Sequence, residues 1–141
     1  MCRLASQGSG AEHGLLDRVD AQVPGARRAR QVRGRPFDLR LDLARRWAHN
    51  GIVWAGPREM PAALADLAAQ LEAVLKAGGF RTEKRAFKAH VSLVRRTEHE
   101  RALPTFAPLE WRAEEFVLVR SVLSAAGPAY ETVERFALGA A

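Results

Sequence analysis

The sequence has little cysteine and no long apolar run, and each shortage excludes a class of protein. Cys2 is the single cysteine among 141 residues, so an internal disulfide is impossible. No apolar run reaches the roughly 18 residues of a membrane-spanning helix. The first residues also lack the apolar segment of a secretory signal. We therefore expect a cytoplasmic protein with no membrane segment.

Metal ligands and nucleotide-binding loops are also lacking. The four histidines, His13, His49, His90 and His99, do not have the spacing of metal ligands. No phosphate-binding glycine loop and no dinucleotide fingerprint is present. We expect no metal and no other cofactor.

Acidic residues are the next shortage. The chain has 16 Asp and Glu against 22 Lys and Arg, a formal net charge of +6. The segment 81–96 alone carries six basic residues against one Glu. Such a surface attracts polyanions. However, 19 of the 22 cations are Arg, which base composition alone could cause, so charge leaves a phosphate ligand and a merely solvated surface both open.

The hydrophobic pattern predicts an α+β protein with helices packed on mainly antiparallel sheets. We expect disorder over residues 1–10 and a single domain over residues 11–141. The alternation of Phe37, Leu39, Leu41 and Leu43 predicts a strand that forms a hairpin with 52–56 through a turn at 48–51. Further predicted elements are a weak helix at 11–23, a firm helix at 61–79, strands at 88–96, 114–123 and 130–138, and a turn at 125–128.

The stretch "FKAHVSLVRR", Phe87 to Arg96, holds the candidate chemistry. In a strand, His90 and Ser92 would project from one face, roughly 7 Å apart, with Lys88 beside them. Imidazole transfers protons near neutral pH, a hydroxyl can donate to a phosphoryl oxygen, and neighbouring cations can hold phosphate. The pattern is short enough to occur by chance on an amphipathic strand, so from the residues alone both interpretations stay open.

The longer segment "GFRTEKRAFKAHVSLVRR" (79–96) resembles the second signature of the two-histidine phosphoesterase superfamily, in its bacterial RNA 2',3'-cyclic phosphodiesterase (2'-5' RNA ligase) branch. The signature is His-x-Thr/Ser before an apolar residue, and Ala89 stands where Pro is usual. The resemblance runs over about residues 35–138. The positions that match are Arg85, Phe87, His90, Ser92, Leu93 and Arg95.

The resemblance implies a bilobal fold in which each lobe supplies one His-x-Thr/Ser motif to a cleft. It also implies hydrolysis of 2',3'-cyclic phosphate RNA ends to 2'-phosphates without metal, so that RNA ends or cyclic nucleotides are the expected partners. By resemblance, His90 is the acid or the base and Ser92 contacts phosphate. Lys88 and Arg95 are the candidate substrate-binding residues, although simple alternation turns Arg95 to the opposite face.

The family's first motif has no counterpart in this sequence. His13 and His49 are followed by Gly14 and Asn50, and neither has a hydroxyl residue two positions on. We therefore expect part of the first lobe to be missing. Three explanations stay open: a misassigned start of a normal enzyme, a degenerate remnant that binds RNA ends without catalysis, and a pair of copies that each supply His90. The first is favoured. An exposed sheet edge would also favour self-association.

Overall fold

A computed structural model describes residues 2–5, 23, 25–97, 103, 105–125 and 127–139. Within these residues, antiparallel strands form three small sheets, and two helices accompany them. The predicted α+β class with antiparallel sheets is confirmed. Within the described ranges, no helix combines the length and the apolar character needed to cross a membrane.

One sheet pairs β2 (Phe37–Leu41) with β6 (Leu109–Ala113). The predicted alternation in β2 is confirmed, because Phe37, Leu39 and Leu41 are buried while the residues between them are exposed. The predicted hairpin of this strand with 52–56 is wrong. The chain leaves the sheet at Asp42, whose carboxylate accepts a hydrogen bond from the backbone N–H of Arg58 at 2.9 Å, and a new strand then begins.

That new strand, β3 (Leu43–Trp47), forms the actual hairpin with β4 (Ile52–Gly56), and β5 (Val91–Val94) pairs with the other side of β4. The predicted turn at 48–51 is confirmed, with Gly51 at a φ of 63°. The predicted strand at 88–96 is shorter than expected, since its ladder covers four residues.

The third sheet has the order β1 (Cys2–Ala5), β7 (Glu115–Ser124), β8 (Gly127–Ala137). The two predicted closing strands are confirmed. Disorder was expected over residues 1–10, but Cys2–Ala5 form a strand that pairs with β7. This pairing supplies hydrogen-bond partners to backbone groups along the edge of β7. The predicted helix at 11–23 lies outside the described residues, apart from Val23.

The helices pack against each other: a short α1 (Gly25–Ala29) and the long α2 (Ala62–Ala77). The predicted helix at 61–79 is confirmed, with Pro61 and Gly78 as its caps. Leu64 and Leu67 face the core, where β2, β6, β7 and β8 also bury side chains, and the rings of Phe116 and Phe136 stack at 4.7 Å. The candidate functional site lies beside this core, on the β3–β4–β5 sheet.

Candidate active site on the β3–β4–β5 sheet

The pairing of the three strands decides which side chains share a face. Arg45 lies directly opposite Trp54, and Trp54 lies directly opposite Ser92. Residues that are paired across antiparallel strands project from the same side of the sheet. Trp47 is two residues from Arg45, so it projects from that side as well. We call this side the His90 face, because the ring of His90 packs against its two tryptophans.

His90 stands immediately before β5, exposed to solvent and held by two kinds of contact. Its ring meets Trp47 edge-on, with centroids 4.7 Å apart, and lies 6.4 Å from the ring of Trp54. Its Nδ1 lies 2.8 Å from the carbonyl oxygen of Lys88. A carbonyl can only accept, so Nδ1 carries the proton in this bond, and Nε2 is the nitrogen left to exchange a proton with a ligand.

Trp54 forms the floor of the site. Its side chain is 1% exposed, and its buried indole N–H has no hydrogen-bond partner among the residues that the structure describes. The ammonium of Lys88 lies 4.7 Å from the centre of its ring, within the range of a cation–π contact. Gly56 makes room for the indole, because a Cβ there would lie 2.9 Å from its Cζ3 atom. His90, Lys88 and Ser92 therefore meet around one buried ring.

A bulge in β5 changes the side on which the residues after Ser92 project. Ser92 pairs with Trp54, but the next pair along β4 joins Val53 to Val94, which leaves Leu93 as an extra residue. Leu93 is 56% exposed. With one residue inserted, Val94 faces the same side as Val53. Arg95 follows the end of β5 and has no partner in the ladder, so the simple alternation that turns it away from Ser92 does not extend to it. Its role as a substrate-binding residue stays a prediction.

The charge around the site is positive. The strands β3, β4 and β5 contain no Asp or Glu, and Arg45, Lys88 and Arg95 are all exposed. Among the residues that the structure describes, no three His, Cys, Asp or Glu side chains come together as a metal site requires. The His90 face therefore offers a proton-transfer group, a hydroxyl and cations, a set suited to a phosphate ester.

Two residues of this face are missed by reading the motif alone. Trp47 is half-buried against His90, and Arg45 stands two residues before it. Leu43, Arg45 and Trp47 are two residues apart, and this spacing could have indicated that Arg45 and Trp47 share one face of a strand. The apolar pattern from Phe37 to Leu43 obscures that spacing, because the pattern assigns Leu43 to the preceding strand.

The chain resembles known proteins in sequence and in fold. No family model matches the sequence. The chain is 30% identical over 112 residues to the RNA 2',3'-cyclic phosphodiesterase of Escherichia coli (strain K12), a match covering 78% of this chain and 63% of that protein. It is 45% identical over 53 residues to the RNA 2',3'-cyclic phosphodiesterase of Thermus thermophilus, covering 37% of this chain and 27% of that protein.

The fold is similar as well. The crystal structure of E. coli LigT complexed with 3'-AMP aligns with a TM-score of 0.75 and 24% identity, over 92% of this chain and 72% of that one. The predicted resemblance to the two-histidine phosphoesterases is confirmed. The chain spans less than two thirds of the length of the curated relatives that it matches.

Proposed function

We propose that this protein acts on RNA ends that carry a 2',3'-cyclic phosphate and hydrolyses them to 2'-phosphates, with His90 as one of the proton-transfer groups. The observation that carries the proposal is the orientation of His90. The Nδ1 of His90 donates to the carbonyl oxygen of Lys88, with the two atoms 2.8 Å apart, and the exposed ring lies on the same face as Ser92.

The reaction needs two proton transfers. Water loses a proton as its oxygen bonds to phosphorus, and the ribose 3'-oxygen gains a proton as its bond to phosphorus breaks. His90 serves one of these transfers through Nε2, while Ser92 donates a hydrogen bond to a phosphoryl oxygen. Lys88 and Arg95, both exposed to solvent, balance the phosphate charge.

The test is turnover of a short RNA with a 2',3'-cyclic end by the wild-type chain and by His90→Ala. Loss of one acid or base costs about 10²–10⁴-fold in rate, while RNA binding should persist. His49→Ala is the matched control, because His49 is also an exposed histidine, with its ring 6.3 Å from the Trp47 ring, but it stands in the turn after β3 and not beside Ser92. Equal turnover by wild type and His90→Ala would refute the assignment.

The second candidate is a protein that binds RNA ends without turnover, and the positive charge of the His90 face favours it, since β3, β4 and β5 contain no Asp or Glu. In that case His90→Ala would leave binding unchanged and the wild-type chain would produce no 2'-phosphate. Binding would weaken steeply with salt, as expected when cations contact a phosphate backbone.

A further inference from the structure

The arginines on strands β2, β3, β6, β7 and β8 fall into two groups. On the sheets away from His90, exposed arginines are matched by carboxylates on the neighbouring strand. The pairs are Arg40 with Glu110, Arg112 with Asp38, Arg120 with Glu131 and Arg135 with Glu115. On the β3–β4–β5 sheet no strand residue is acidic. Of its two strand arginines, Arg46 donates to the backbone of Thr97, whereas Arg45 has no carboxylate partner among the residues that the structure describes.

Arg45 is the member of this second group farthest across the sheet from Ser92. The row Arg45, Trp54, Ser92 crosses all three strands, one residue from each. Strands lie about 4.8 Å apart, so the backbone positions of Arg45 and Ser92 are roughly 10 Å from each other. Neighbouring phosphates along a single strand lie closer together than that. The long, flexible arginine side chain can reach from its own strand toward Ser92 and cover the difference.

Arg46, the next residue in the chain, has different contacts from Arg45. Arg46 faces the other side of the sheet, and its guanidinium donates to the carbonyl oxygen of Thr97 at 2.8 Å, so it has a structural partner. Arg45 is exposed and, within the described residues, its guanidinium makes no hydrogen bond or ion pair. Trp54, the residue between Arg45 and Ser92 in this row, is a buried indole that brings no carboxylate.

We infer that Arg45 binds a second phosphate of the substrate, the phosphodiester that joins the terminal nucleotide to the one before it. The inference rests on the proposed function, since it takes the terminal phosphate to lie at His90 and Ser92. It specifies the substrate class: an oligonucleotide engages both subsites, whereas a mononucleotide engages only the first. Arginine suits this role, because its planar group donates two parallel hydrogen bonds to phosphate.

The experiment measures equilibrium binding, so that it does not depend on turnover. The probes are a short RNA ending in a 2'-phosphate and adenosine 2'-monophosphate, titrated against wild type, Arg45→Ala and Arg27→Ala. Arg27 is an exposed arginine on α1, and its removal changes the net charge by the same amount. We expect Arg45→Ala to weaken RNA binding about fivefold and to leave the mononucleotide unaffected.

Salt dependence gives a second readout. One phosphate contact in a single strand contributes about 0.7 to the slope of log K against log salt concentration. Arg45→Ala should therefore lower the slope for RNA by about that amount, and Arg27→Ala should not. Equal weakening of both probes, or no difference between the two variants, would overturn the second subsite.

The two proposals can fail separately. If wild type hydrolyses cyclic mononucleotides and RNA with the same KM, and Arg45→Ala does so too, the phosphate subsite is refuted while the proposed activity stands. If wild type shows the two-probe binding pattern but no turnover, the subsite stands and the proposed hydrolysis is refuted.

Discussion

Gly56 provides the sharpest test of how the site is built. A Cβ at this position would lie 2.7 Å from the carbonyl oxygen of Ala89 and 2.9 Å from Cζ3 of Trp54. Neither neighbour can move freely, because one is backbone and the other is a buried ring with 1% exposure. Gly56→Ala must therefore push β4 away from the segment that carries His90.

The size of the effect follows from the overlap. Contacts near 2.8 Å must open by several tenths of an ångström, and overpacking of this kind costs about 2 kcal/mol in the free energy of unfolding. For a domain of this length, that loss lowers Tm by roughly 6–10 °C. Displacing His90 by a similar distance should also reduce turnover, by up to about 100-fold.

Thermal and urea unfolding of Gly56→Ala would check the stability, and NMR of the His90 ring would check the displacement. Gly25→Ala is the matched control, because the nearest atom to a Cβ there is Cδ2 of Leu75 at 3.9 Å, an ordinary contact. If Gly56→Ala unfolded at the same midpoint as wild type and left the His90 signals unmoved, the close packing inferred around Trp54 would be wrong.

Two further predictions concern an ion pair and a tryptophan. Arg30 donates to both carboxylate oxygens of Glu134, at 2.6 and 2.9 Å, and the Glu134 side chain is 11% exposed. Glu134→Gln should therefore lower the free energy of unfolding, measured with urea, by about 2 kcal/mol. Glu131→Gln breaks an ion pair in which both side chains are exposed, so it should lower the free energy of unfolding by less than about 1 kcal/mol. Equal losses in the two variants would contradict the difference in burial. Trp47→Leu removes the ring packed edge-on against His90, so turnover should fall about tenfold while KM for RNA changes little; a change in KM alone would show that Trp47 contacts substrate instead of positioning His90.

The sequence predicts the long helix well and the small sheet poorly, for physical reasons. In α2 the local signals agree, since Ala and Leu favour helix and Pro61 and Gly78 stand at its ends. At Leu43 they conflict, because one alternating pattern continues through Asp42 although the chain changes sheets there. Partner choice between strands depends on distant residues, so β6 as the partner of β2 could not be read locally.

The candidate site shows the same division. His90 and Ser92 are recognisable from their motif, since their spacing needs only a local extended backbone. The bulge at Leu93 and the end of β5 at Val94 depend on pairing with β4, so the local alternation does not predict how Arg95 lies. The packing of Trp47 against His90 depends on the correct hairpin register, so it was accessible only after the fold was known.

The measurement that tests the central claim most directly is ³¹P NMR of a short RNA with a 2',3'-cyclic phosphate, incubated with the wild-type chain and with His90→Ala. The account predicts that the cyclic phosphate signal is replaced by that of a 2'-monophosphate with wild type and persists with His90→Ala. A cyclic signal that persists with wild type, or that disappears equally with both proteins, would contradict it.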